Sequence, residues 1–188
     1  MTNFFFAPNS YDIKSLASLH RDWRGILNEE VKNRVAIEHQ YFDFHVSFLL
    51  KSLQTRSRDG TCSSFGLSAR VGAVRSAIFI CGSIAEAVLR EYAERCNWKA
   101  FQKLKEQEKT LGRLVSVWKQ CKPSAIQPIR QELELLIDKR NGIHLYKEVL
   151  SHNGTSFRWQ EILEQEKHFL NAGCKVLQYL QASEFFMQ

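Results

Sequence analysis

The chain has 188 residues, 44% of them apolar and 24% charged, which suits one domain, or one domain with an appendage, and excludes a disordered or fibrous chain. Twenty-six Lys and Arg against twenty Asp and Glu leave a net charge of +6, a balance compatible with nucleic-acid contact without demanding it. The five cysteines include no CxxC pair, which excludes a zinc ribbon or a thioredoxin-type motif and fits a reducing, cytoplasmic setting.

MTNFFFAPNS has no basic n-region and is not expected to act as a secretory signal. An Asn9-Ser10 cap signal predicts a first helix from about Tyr11 to Leu27. A second, strongly aromatic around EHQYFDFHVSFLL, is predicted from about Glu29 to Thr55. Ser57 to Ser68, with Gly60, Gly66 and several serines, reads as a loop.

The third helix is the clearest. Val74, Ile78, Cys81, Ala85, Val88 and Tyr92 recur at spacings of four and three and form one stripe. Gly82 and Glu86 lie one turn apart on its flank, and a mid-helix glycine usually marks the close approach of another element. AIFICGSIAEAVL, the most apolar run, is interrupted by Glu86 and reads as too short to span a membrane.

After Trp98 comes a basic stretch, then TLGRLVSVWKQ as a helix ended by Pro123, with Pro123 or Pro128 near the start of the next. Ile126, Ile129, Leu133, Leu136 and Ile137 then share a face that leads into Arg140. A polar loop from Ser151 to Ser156 precedes a last helix from about Trp159 to Ala182. Asn153-Gly154-Thr155 matches a glycosylation sequon and reads as a turn. No strand pattern or internal repeat occurs, so the expectation is an all-α, up-and-down helical bundle. One domain is expected over 1–188, with N-terminal helices in 1–57 and a core in 68–182.

Other chemistries find little support. His39 and His45 cannot share a helix face, and with Glu38 and Asp43 they do not make a metal site. The aromatics from Tyr41 to Phe48 read as core or interface residues. No GxGxxG, P-loop or GxSxG motif is present. No metal and no cofactor is expected.

The segment DKRNGIHLY, Asp138 to Tyr146, holds the most chemistry. Continuing the Ile126–Ile137 periodicity puts Arg140 and His144 one turn apart on the apolar face. A cation there needs a carboxylate, an interface or a ligand. The same residues also suit a helix end, with Gly142 at the C′ position and Lys139 and Arg140 satisfying the last carbonyls.

Three pieces together resemble the HEPN superfamily of helical-bundle domains, many of them ribonucleases of toxin–antitoxin and phage-defence systems. AVRSAIFICGSIAEAVLREYA resembles its early core helix, KTLGRLVSVWKQ a following Leu-Gly-x-Leu helix, and RNGIH its late Arg-Asn…His motif. The gap from Arg140 to His144 is shorter than the family's usual one. The resemblance implies a homodimer that cleaves RNA without a metal, with Arg140, Asn141 and His144 catalytic. It leaves open an antitoxin protein as a further partner.

In that chemistry His144 supplies a base near neutral pKa and Arg140 a fixed cation for the phosphate. Glu86 is expected to pair with Arg140, and Tyr146 to stack or hydrogen-bond nearby. Lys103, Lys105, Lys109, Arg113 and Lys119 suit an RNA backbone, or equally a solvated helix face. Some relatives are inactive, so a non-catalytic dimerisation or RNA-binding module is the other reading.

Overall fold

A computed structural model describes residues 13–51, 64–142, 165–183 and 186 of the chain. Among the described residues every element is helical and no strand occurs, an all-α helical bundle.

The first helix, α1, spans Leu16–Asp22. Ser15 sets its start: its backbone is extended and its hydroxyl accepts the Ser18 N–H at 3.2 Å, satisfying one of the donors a helix leaves open. The helix therefore starts later than the sequence implied; Asn9 and Ser10 lie outside the described residues. Asn28 caps α2 (Glu29–Lys51), its Oδ1 accepting from the Glu30 and Val31 N–H groups. Residues 52–55, the expected end of α2, are likewise outside.

The third helix, α3, spans Ser64–Arg95, about 48 Å of continuous helix. It begins inside the segment read as a loop, and the rest of that segment, 57–63, is not described. One glycine costs about 1 kcal/mol, a local term too small to stop a helix that only has to propagate. The predicted stripe of Val74, Ile78, Cys81, Ala85, Val88 and Tyr92 is buried. So are Ala77, Ile84, Leu89 and Ala93 around it, because α3 is the central element against which the others pack.

This helix corrects one sequence reading. By length and composition Ala69–Arg95 is long and apolar enough to cross a membrane, Glu86 notwithstanding. In the bundle 61% of its most apolar stretch is buried inside the protein.

A short α4 (Lys99–Gln102) and a 3-10 turn (Glu106–Glu108) lead to α5 (Leu111–Cys121). Leu111, Leu114, Val115 and Trp118 form the buried face of α5, and the Trp118 indole donates to the Leu89 carbonyl at 3.1 Å. The next helix, expected to start near Pro123 or Pro128, comes as α6 (Pro123–Ile126), a 3-10 turn (Gln127–Ile129) and α7 (Arg130–Gly142). Pro128 lacks the N–H an α-helical ladder needs there. The expected apolar face survives the break: Ile126, Ile129, Leu133 and Leu136 are all buried.

The last described helix, α8 (Glu166–Ala182), packs on α3 and α7. A Cβ added at Gly173 would stand 3.2 Å from Phe42 Cζ and 3.4 Å from Cys81 Sγ, so the glycine permits the close approach. At the start of α8, Glu166 is buried and held by Arg70 of α3 in a two-pronged ion pair of 2.5 and 2.8 Å. One apolar cluster runs from Leu19 and Trp23 through α2, α3 and α7 to Phe186, so the N-terminal helices share it with the rest. The Ser151–Ser156 loop, with its sequon, and residues 159–164 lie outside the described residues.

Candidate functional site

Helix α7 brings Arg140 back over the middle of α3. Its Nη1 donates to Glu86 Oε2 at 2.6 Å, and the same oxygen accepts the Leu111 N–H of α5 at 2.8 Å. One carboxylate thus ties the end of α7, the start of α5 and the middle of α3. Arg140 reaches it across Gly82, where an added Cβ would stand 3.2 Å from Arg140 Cδ. The packing reason sought for that glycine is the arginine stem.

The guanidinium carbon lies 5.1 Å from the centroid of the Phe79 ring, a cation–π arrangement. Phe79 is 50% exposed, while the side chains of Arg140 and Glu86 are 22% and 27% exposed. The pair therefore sits at the edge of solvent. A guanidinium carries five N–H donors, and among the described residues only Nη1 of Arg140 is hydrogen-bonded. The arrangement is a fixed cation with donors left to give.

The sequence reading placed Glu86 with Arg140 and missed Phe79. The signal was available: Phe79, Gly82 and Glu86 recur at three and four residues and share one face of α3. Asn141 lies in the last turn of α7, and nothing further is described of its side chain. His144 and Tyr146 lie outside the described residues.

Of the basic run, Lys103, Lys105 and Arg113 are exposed. Lys109 pairs with Glu106 at 2.9 Å and lies over the Phe101 ring, and Lys119 pairs with Glu134 at 2.6 Å. Arg90 joins Glu94 and Glu106 to the same network. The sequence window showed only Glu106 and Glu108 among these lysines; the fold adds Glu94 and Glu134 from other helices.

Among the described residues no group of three or more His, Cys, Asp or Glu could hold a metal ion. His39 is buried, and its Nδ1 accepts from the Trp23 indole at 3.1 Å. The Gln181 amide also faces Nδ1, at 3.2 Å. The indole donor on Nδ1 places the ring proton on Nε2, toward Asp43 Oδ1 at 3.6 Å. Burial, with Lys14 adding to it, pushes the imidazole pKa down to about 4, so His39 is a neutral structural group. His45 packs instead against Tyr41 and Phe44, and burial lowers its pKa too.

No family model, curated protein or solved structure matches the chain. What the site can do therefore rests on its own geometry.

Proposed function

We propose that the chain is a HEPN-type module that acts on RNA, cleaving it as a homodimer without a metal through Arg140, Asn141 and His144. The observation that supports this reading is the state of Arg140: gripped by Glu86, partly open to solvent, and with most of its donors unspent among the described residues. A cation held in that way is pre-organised for the charge that develops on a phosphate. His144, four residues on, would take the proton of the RNA 2′-hydroxyl as it attacks the neighbouring phosphate, and Asn141 would orient the imidazole or contact the phosphate. A toxin or defence effector in the cytoplasm, with an antitoxin partner, is the setting this reading proposes.

A second reading is favoured by a specific contact. Glu86 already neutralises Arg140 and caps α5, so the pair has a complete structural task without any substrate. The chain would then be a HEPN-like dimerisation or RNA-binding module.

RNA cleavage in EDTA by wild type and His144→Ala separates the two, with circular dichroism and gel filtration as checks on fold and dimer. The enzyme reading expects cleavage that falls by about a hundredfold or more in an equally folded variant, the usual worth of a general base. Wild type that binds RNA and leaves it intact supports the module.

A further inference from the structure

An open cleft of about 470 Å³ lies between α1 and α8, away from Arg140. Lys14, Arg21 and Arg24 line it with Asp22, Gln178 and Gln181. Three cations face one carboxylate in the lining, and Arg24 has a contact of its own besides. Several of these groups are held in place. The Lys14 carbonyl accepts from Gln40 of α2, the Lys14 ammonium pairs with Asp22 at 2.8 Å, and Gln181 is engaged by His39. Arg21 is exposed and makes no ion pair among the described residues.

We propose that this cleft binds the phosphodiester backbone of single-stranded RNA, as a contact surface separate from the Arg140 site. No aromatic ring and no aliphatic side chain larger than alanine lines it, so it offers no seat for a base or an acyl chain. Cations and amides are the donors that phosphate oxygens take. The concave, solvent-open form suits a strand lying along it better than a flat bilayer. Asp22 and Gln181 also border a small cavity with Val88, Glu91 and Tyr92 of α3. At 100° per residue those three lie on the far side of α3 from Phe79, Gly82 and Glu86. A strand in the cleft would therefore be held across the bundle from Arg140; that the strand is RNA rests on the function proposed above, whether or not the chain cuts it.

The test is binding of a fluorescent 2′-O-methyl oligouridylate to the full chain across a salt series. The blocked 2′-oxygen keeps binding apart from cleavage. Arg21→Gln is expected to weaken binding about three- to tenfold at low salt and to reduce the log–log salt slope by about 1. Gln178→Glu, which puts a negative charge in the cleft, is expected to weaken it at least as much. Lys167→Gln removes the same charge as Arg21→Gln from the opposite end of α8 and is expected to change affinity less than about twofold. Absence of wild-type binding at low salt, or equal losses in Arg21→Gln and Lys167→Gln, overturns the proposal. So does displacement of the RNA by inorganic phosphate at matched ionic strength, which would mark a small-anion site. Capture by phosphatidylserine vesicles with no binding to RNA would overturn it as well.

Discussion

Glu86 shows how much one side chain can carry. Its carboxylate neutralises Arg140 and accepts the first backbone donor of α5 through a single oxygen. Glu86→Ala leaves the Leu111 N–H and the guanidinium without that acceptor. We expect a cost of about 1–3 kcal/mol in urea unfolding. Glu86→Gln keeps an acceptor for Leu111 and loses only the charge, so it is expected to cost less; equal losses would show that the ion pair alone matters. The Arg140–Glu86 pair was legible in the sequence because both residues follow from helical periodicity. The bond to Leu111 was not, since it depends on where α5 begins in space. The His39 knot was half legible: helical spacing ruled out a shared metal face with His45, but nothing local placed Trp23 and Gln181 on its Nδ1.

Helices pack here through small residues at close approaches. Gly82 and Gly173 both sit in α-helices, and both would place a Cβ 3.2 Å from a neighbour. The neighbours differ in what they can do. Arg140 Cδ belongs to a flexible stem near solvent, whereas Phe42 is buried against Gly173 with Cys81 on another side. Gly173→Ala gains up to about 1 kcal/mol of helix propensity. It is nonetheless expected to destabilise by about 1–3 kcal/mol through overpacking. Chemical denaturation of that variant checks the sign, and a stabilised Gly173→Ala would show that α8 can move off α2. At this scale the apolar faces of α3, α5 and α7 were readable, since each follows the helical period. The start of α3 at Ser64 was not, and Pro128 was legible as a helix start but not as a break between α6 and α7. Serine and glycine content signals a loop only when tertiary packing does not override it, and Pro128 set a local 3-10 turn without ending the apolar face. The Arg70–Glu166 pair joins positions 96 residues apart, which no periodicity reaches.

For the molecule as a whole, His39 links folding to pH. Its pKa is about 4 when folded and near its ordinary 6.5 when unfolded, so between those values the unfolded chain binds more protons. Stability is therefore complete above about pH 6.5 and falls as pH drops toward 4, by up to about 3 kcal/mol. The carboxyl of Glu134, hydrogen-bonded by Lys119 and Arg130, has its pKa lowered and adds its own loss only below the ordinary carboxylate range. His39→Asn keeps an acceptor for Trp23 and cannot titrate. Urea midpoints measured from pH 7 to pH 5 are expected to fall in wild type and to fall less in that variant, where His45 keeps its own share; parallel slopes would remove His39 as the cause.

The same core holds Trp98 and Trp118 edge to face, ring centroids 4.8 Å apart, with Tyr92 against both. Two indoles that close and that sharply angled mix their excited states, so the protein carries its own chiroptical reporter. Trp98 stands just before α4, and Trp118 is seated in α5. The exciton signal therefore follows the docking of that one connection, while the helical bands follow everything else.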